Sequence, residues 1–131
     1  MCIFCKIING EIPSSKVYED DDVLAILDIS QATLGHTLVM PKKHYANILE
    51  IPSDEYTKVM LKVKDIANKI NTNLKPNGIN VLNNCGEVAG QTVMHYHVHI
   101  IPRYNNNDIK IEFTDHSGKV DLNEVLNKIN K

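Results

Sequence analysis

The run from His95 to Ile101 constrains the fold more than any other stretch, because polar and apolar residues alternate along it. His95, His97 and His99 occupy every second position, and aromatic or aliphatic residues separate them. Side chains of a β-strand point alternately to its two faces, so this period of two predicts a half-buried strand. We expect the three imidazoles to share a solvent-facing surface, directed toward a cleft, and the residues between them to face a hydrophobic core.

The spacing of these histidines limits how they can act together. Residues two apart on one strand face are separated by roughly 6.6 Å, and residues four apart by roughly 13 Å. Zinc–imidazole bonds are only about 2.0 to 2.1 Å long, so the three rings cannot bind one ion together. Either His95 and His97 share an ion with outside ligands, or each histidine has a separate role. A lone histidine is most often structural, but burying three in alternation without a function would be costly.

Length and composition favour one cytoplasmic domain over residues 1–131. A chain of 131 residues supports one hydrophobic core and is too short for two. It has no apolar run of membrane-spanning length and no signal-peptide pattern, so we expect no membrane association. A formal charge of -2 without a long basic block argues against binding of long nucleic acid and is compatible with a nucleotide-sized anion. Three cysteines, an odd number, argue against a disulfide framework.

Other periodic segments predict four more strands and a long helix. The strands are expected at residues 16–19, 23–27, 35–40 and 79–83. Apolar residues recur at three- and four-residue steps from Ser53, the expected N-cap, to a point before Pro76, which predicts a helix. A short helix is expected within residues 121–131. This order predicts an α+β fold, an antiparallel sheet of about five strands with one main helix covering Tyr96, Val98 and Ile100.

Residues 83–94, which precede the histidines, have the composition of an anion-binding loop. They include two glycines, several amides and a hydroxyl, and glycine lets backbone N–H groups approach an anion closely. Such a loop alone is more often an ordinary strand connection. Next to three histidines it indicates a phosphate site, because neutral imidazole is a suitable nucleophile near neutral pH. The central histidine, His97, is the strongest candidate for that nucleophile.

Cys2 and Cys5 form a second candidate site near the N-terminus. Two cysteines three residues apart can supply half of the four ligands that a structural zinc ion needs. A Cys-x-x-Cys pair is also compatible with a redox pair or with chance. His44 and His95 are histidines available to complete a zinc site.

Taken together, these motifs resemble the histidine-triad (HIT) family, whose hallmark is His-x-His-x-His followed by two apolar residues. The resemblance covers nearly the whole chain and is greatest to the bacterial Hit and Hint branch. Further matching segments are residues 4–8, 11–13, 18–21, 28–30, 35–36, 41–44 and 89–93. The resemblance implies a HIT-like α+β fold and a homodimer that binds a purine nucleotide such as AMP or GMP.

The resemblance also implies a role for each matching residue. His97 would attack the α-phosphorus and form a nucleotidyl-histidine that water hydrolyses. His99 and Thr92 would contact phosphate oxygens, His36 would lie beside the triad, and Asp28 would accept hydrogen bonds from both ribose hydroxyls. The other expected nucleotide contacts are Asn84, Gly90 and Gln91 near the phosphate, and Phe4, Ile7, Ile12, Ile26, Ile29 and Leu38 around the base. These last six could equally be core residues.

Zinc-containing members of the family use two cysteines, a histidine and the first histidine of the motif as ligands. Cys2, Cys5, His44 and His95 match that pattern, so the resemblance implies a structural zinc ion. Cys85 matches no ligand position. One departure concerns Gln31, which follows Ser30 where many Hint sequences have proline. This difference would shift the loop that carries Asp28 by one residue.

Three functions are compatible with these features. The first, which we predict, is an enzyme that hydrolyses nucleoside phosphoramidates or related adenylates through His97, and the Cys-x-x-Cys opening favours it. The second is a dinucleoside polyphosphate hydrolase of the Fhit type, which residues 91–93 and 102–103 support. The third is a nucleotide-binding regulatory protein with incidental hydrolysis. A purely structural zinc protein would leave His36, His97 and His99 unexplained.

Overall fold

The computed structural model describes residues 2–131, and in this part of the chain it contains one five-stranded antiparallel sheet with helices against both faces. The strand order is β1-β2-β3-β5-β4. The predicted α+β class and antiparallel sheet are confirmed. The elements are α1 (Ile3–Ile8), β1 (Lys16–Glu19), β2 (Val23–Leu27), β3 (Thr37–Pro41), α2 (Ser53–Leu74), β4 (Gly78–Leu82), β5 (Val98–Arg103) and α3 (Leu122–Ile129).

The predicted boundaries hold for β1, β2 and α2 but not for the histidine strand. β5 begins at Val98 rather than at His95, because the preceding residues bond to the last residue of β3 and to the segment that follows it. The Tyr96 N–H donates to the Tyr45 carbonyl at 2.6 Å, and the His95 ring lies 2.8 Å from the Pro41 carbonyl. Ser53 is the first helical residue rather than the N-cap, a position that Pro52 occupies.

One face of the sheet packs against α2, as the alternation predicts. The buried stripe of α2 consists of Val59, Val63, Ile66 and Ile70, and it belongs to one core with Tyr96, Val98 and Ile100. Burial of each such aliphatic side chain contributes about 1.5 to 3 kcal/mol relative to exposure. This core fixes which residues of the histidine run face away from α2.

The histidines on the opposite face lie away from α2, and His97 and His99 line a cavity, but this part of the face is covered rather than open to solvent as expected. His95 and His97 are 0% and 7% exposed. The short helix α1, which the periodicity did not predict, covers this face. Its Phe4 packs in a second core with Leu24, Ile26, Leu38 and Met40. Alternation correctly separates the two faces of a strand, but it carries no information about which distant segment covers each face.

The hairpin of β2 and β3 sets the position of residues 28–36. The two strands pair from Val23 opposite Pro41 to Leu27 opposite Thr37, and the Asp28 N–H continues the pairing by donating to the His36 carbonyl at 3.0 Å. Gly35 has φ +97°, and a Cβ there would lie 2.5 Å from the Leu74 Cδ1 atom. Glycine is therefore required where this loop enters β3.

The chain beyond β5 extends along the surface. Arg103 ends the sheet with bonds from its guanidinium to Asp108 and Asn80. Residues 110–131 are exposed, and the predicted C-terminal helix is present as α3 with Asp121 as its N-cap. In residues 2–131 no helix has the length and apolar character needed to span a membrane.

Candidate active site and metal centre

A cavity of about 370 Å³ lies between α1, the end of β2 and the histidine run. Its polar lining includes Asp28, Thr92, His97 and His99. All six apolar residues expected around a base line it as well, namely Phe4, Ile7, Ile12, Ile26, Ile29 and Leu38. Cavities of this size and mostly apolar lining suit small organic ligands that a few polar groups orient.

The ring of His97 is held in one orientation by the backbone. Its Nδ1 atom lies 2.7 Å from the carbonyl oxygen of His95. A carbonyl can only accept, so Nδ1 carries the hydrogen and Nε2 carries the free lone pair. Burial lowers the pKa of His97, which keeps the ring neutral. The edge of Phe4 contacts the same ring, with centroids 5.0 Å apart. His97 is thus a neutral imidazole with one nitrogen available for nucleophilic attack.

His36 and His99 form a hydrogen-bonded pair beside His97. The Ala32 N–H donates to His36 Nδ1 at 3.2 Å, so the hydrogen of His36 is on Nε2. His36 Nε2 lies 2.9 Å from His99 Nδ1 and donates to it, which leaves the hydrogen of His99 on Nε2. Burial, with added repulsion from His97 and His36, lowers the pKa of His99 to about 4. His99 is therefore an uncharged hydrogen-bond donor at neutral pH.

Asp28 lies at the rim of the cavity with its side chain 20% exposed. Its Oδ1 atom accepts from the Ser30 N–H at 2.8 Å, and its Oδ2 atom lies 3.7 Å from His36 Nε2. Although Gln31 follows Ser30 in place of proline, Asp28 still lines the cavity. The carboxylate is available to accept hydrogen bonds from a ligand.

The loop from residue 83 to residue 94 contributes less to the cavity than predicted. Thr92 lines the cavity, whereas Asn84 and Gly90 contact each other and are absent from its lining. Gln91 is 2% exposed and does not line the cavity, and its contact with a nucleotide stays a prediction. Its Oε1 atom accepts from the Gly86 N–H at 2.9 Å, and its Nε2 donates to the Ala46 carbonyl at 2.7 Å. Gln91 therefore fixes the loop from within.

The sequence prediction missed six residues of the cavity wall, most of which stand next to predicted ones. They are Ile3, Pro13, Ser14, Leu27, Ser30 and Val93. Ile3 could have been found from helical spacing, because it lies on α1 one turn before Ile7.

Cys2, Cys5, His44 and His95 converge as the sequence predicted. The two sulfurs are 3.2 Å apart, the two Nδ1 atoms are 3.2 Å apart, and the four sulfur–nitrogen distances lie between 3.4 and 3.6 Å. A tetrahedron of two thiolates and two imidazoles around zinc has edges of roughly 3.3 to 3.8 Å, given its bond lengths. The four sulfur–nitrogen distances lie in this range and the other two are shorter, so the four atoms are gathered around one point as the ligands of a single zinc ion would be.

The hydrogen bonds around this cluster also suit a metal. His95 Nε2 lies 2.8 Å from the Pro41 carbonyl and donates to it, so Nδ1 has a free lone pair directed at the cluster. The Cys5 N–H donates to the Cys2 sulfur at 3.2 Å. Burial and the neighbouring Cys2 raise the pKa of the Cys5 thiol, so a bound cation would favour its thiolate form.

A second cluster, Asp28, His36 and His99, also has three possible ligand atoms within 4.8 Å of one another. His36 Nδ1 accepts from a backbone N–H, so its Nε2 carries hydrogen and has no lone pair for a metal. We interpret this cluster as the hydrogen-bonded pair of His36 and His99 with the Asp28 carboxylate beside it, 3.7 Å from His36 Nε2. A further cavity of about 440 Å³ lies at the far end of β5, away from the histidines, where the guanidinium of Arg103 is already bonded to Asp108.

Sequence and structure comparisons agree on one family. A model of the HIT domain matches residues 9–106. Protein hit of Bacillus subtilis is 57% identical over 107 residues, which are 82% of this chain and 74% of that protein. The crystal structure of a HIT family protein from Bacillus anthracis has a TM-score of 0.92 and 48% identity, and the match covers 98% of this chain and 92% of that chain. The HIT-like fold is thereby confirmed.

Three other similar proteins have names that describe a ligand or an activity. Adenylylsulfatase HINT3 of Arabidopsis thaliana is 45% identical over 102 residues, 78% of this chain and 52% of that protein. A zinc-bound histidine triad family protein from Mycobacterium smegmatis has a TM-score of 0.79 and 34% identity, covering 98% and 95% of the two chains. A histidine triad nucleotide-binding protein from Candida albicans has a TM-score of 0.80 and 34% identity, covering 99% and 95%. The chain belongs to the HIT domain family.

Proposed function

We propose that this protein is a hydrolase that transfers the nucleotidyl group of a purine nucleoside phosphoramidate, or of a related adenylate, to His97 and then to water. The observation that carries this proposal is the bond from His97 Nδ1 to the His95 carbonyl, which leaves Nε2 as a neutral nucleophile in a nucleotide-sized cavity. Two similar proteins support it by name, because one is nucleotide-binding and the other is an adenylylsulfatase.

The reaction proceeds in two displacements at phosphorus. His97 Nε2 donates its electron pair to the α-phosphorus, the phosphorus–nitrogen bond of the phosphoramidate breaks, and the leaving amine takes a proton from water. The positive charge that the ring gains is stabilised through Nδ1–H and the His95 carbonyl. Water then attacks the same phosphorus and gives its proton to the hydroxide left by the first step, the phosphorus–Nε2 bond breaks, and a nucleoside monophosphate is released with His97 restored.

The other cavity residues bind and orient the nucleotide in this proposal. Neutral His99 donates from Nε2 to a phosphate oxygen, and the Thr92 hydroxyl donates to another. Asp28 accepts from the ribose hydroxyls, and His36 acts through its hydrogen bond to His99. The base occupies the apolar slot beneath α1, where Phe4 is 7% exposed. Asn84 and Gly90 contribute indirectly, by shaping the loop that presents Thr92.

Cys2, Cys5, His44 and His95 would hold a structural zinc ion, which supplies a fixed cross-link between α1, the segment after β3 and the histidine run. A zinc-bound relative supports this proposal, as do the ligand distances. Because a closed tetrahedral site has no open position, the zinc has no contact with substrate. The reducing cytoplasm is the compartment that suits these half-buried cysteines as thiolates.

We further propose that two copies of the chain form a homodimer through β4. This strand is at the outer edge of the sheet, and its Val81 and Leu82 are 51% and 44% exposed. An exposed edge strand with apolar side chains is suited to pairing with a second chain.

Substitution of the nucleophile tests the reaction. We expect His97→Ala to lower kcat/KM for an adenosine phosphoramidate by at least about a thousand-fold, since no other group replaces the Nε2 lone pair. The exposed His116→Ala variant is the matched control and should retain wild-type activity. Near-normal turnover by His97→Ala would rule out the proposed mechanism.

In wild type, a higher kcat/KM for diadenosine polyphosphates than for phosphoramidates or adenylyl sulfate would favour an Fhit-type hydrolase instead.

Removal of one ligand tests the metal site. We expect about one zinc per chain in the gently purified protein and much less in Cys5→Ser or His44→Ala, together with a loss of several kcal/mol in the free energy of unfolding. Cys85→Ser is the matched control, because Cys85 is a free cysteine outside the cluster. Elemental analysis and chemical denaturation measure the two quantities. Equal zinc content in Cys5→Ser and Cys85→Ser would contradict the assignment.

The pKa of His99 has a consequence for stability. The unfolded chain gains a proton on this histidine near pH 6.5, but the folded protein gains it only near about pH 4. The contribution of neutral His99 to stability is therefore fully present above pH 6.5 and is lost as the pH falls toward 4. NMR titration of the ring should give the low pKa directly. Between pH 6.5 and 4, the free energy of unfolding should fall less steeply with decreasing pH in His99→Asn than in wild type. The same slope in both proteins would contradict the lowered pKa of His99.

A further inference from the structure

The side chain of Gln31 bridges the two ends of the loop from Asp28 to His36. Its Nε2 group donates to the Asp28 carbonyl at 2.5 Å and to the His36 carbonyl at 2.8 Å. Its Oε1 atom accepts from the Gly35 N–H at 2.8 Å. One amide therefore bonds to three backbone groups, at both ends of the loop.

These bonds are not a by-product of burial, because Gln31 is exposed. An exposed glutamine can satisfy its amide with water, yet both donor hydrogens and the acceptor of Gln31 are directed at backbone groups. Proline, the residue that the family resemblance leads one to expect here, would restrain its own φ angle and the conformation of Ser30, but it has no side-chain group that could bond to Asp28 or His36. The amide of Gln31 instead fixes the separation of Asp28 and His36.

The position of the Asp28 carboxylate depends on this loop. Its Oδ1 atom is held by the Ser30 N–H at 2.8 Å, one residue before Gln31. Its backbone is held by two bonds near His36, one from the Asp28 N–H to the His36 carbonyl and one through Gln31. The carboxylate then lines the cavity with Oδ2 directed toward His36.

We propose that Gln31 is a positioning residue for ribose recognition, which acts by fixing the Asp28 carboxylate where the ribose hydroxyls bind. This inference rests on the proposed function, in which Asp28 accepts from those hydroxyls. It assigns to Gln31 the preference for ribonucleotides over deoxyribonucleotides, without direct contact between Gln31 and the nucleotide.

The test is calorimetric binding of AMP and 2′-deoxy-AMP to the full chain, which needs no turnover. A hydrogen bond to a charged group is worth about 1.5 to 3 kcal/mol, so wild type should bind AMP roughly 10- to 100-fold more tightly than 2′-deoxy-AMP. In Gln31→Met, which has similar length and no hydrogen bonds, this ratio should fall to about 1 to 3 through weaker AMP binding. Binding of 2′-deoxy-AMP should change little.

Two further variants separate positioning from a general loosening of the structure. Gln31→Glu keeps the acceptor for Gly35 but places charge against two carbonyls, so it should lose the preference as well. Gln91→Met removes the other glutamine of the chain, which also bonds three backbone groups, but at a different loop. Gln91→Met should weaken the binding of AMP and of 2′-deoxy-AMP alike and leave the ratio of the two affinities unchanged.

The effects of Gln31→Met and Asp28→Asn on the free energy of AMP binding should not be additive, because Gln31 acts through Asp28. If the preference for AMP survives in Gln31→Met, or if the effects in the double variant are additive, the inference about Gln31 is overturned while the proposed ribose role of Asp28 stands. If wild type shows no preference for AMP, the ribose role of Asp28 fails, and the inference about Gln31 fails with it.

Discussion

The hydrogen bond from His97 to the carbonyl of His95 is the contact on which the proposed chemistry depends. It fixes the tautomer of His97 and leaves Nε2 as the only nitrogen that can attack. The acceptor belongs to a residue whose own side chain is fully buried and is turned toward the sulfurs of Cys2 and Cys5. One residue thus connects the backbone that orients the nucleophile with the cluster that fits a metal.

The helix α1 extends this connection to the base slot. Phe4 lies between Cys2 and Cys5 in sequence, and its ring contacts both His95 and His97, with centroid distances of 6.0 and 5.0 Å. A metal held by the two cysteines would therefore fix the helix that covers the cavity as well as the carbonyl that orients His97. An α-helix of six residues has little stability alone, so tertiary and metal contacts determine its place.

Much of this arrangement could be predicted from the sequence, for identifiable reasons. The spans of β1, β2 and α2 follow from periodicity, and the four residues of the metal cluster follow from ligand chemistry and family resemblance. The exposure of the histidine face could not be predicted, because α1 covers it through contacts remote in sequence. The resemblance implies that Gln91 contacts the nucleotide, and the structure shows its amide bonded to three backbone groups. A polar residue type does not reveal whether its partner is a ligand or the protein.

The most direct test is rapid-quench mass measurement of the intact protein during turnover of an adenosine phosphoramidate. Quenched in alkali within a single turnover, the protein should gain the mass of one adenylyl group, and peptide mapping should locate that group on His97. The adduct should disappear as AMP forms. Turnover without any adduct at the earliest times, or an adduct on His99 or His36, would contradict a mechanism in which His97 Nε2 is the nucleophile.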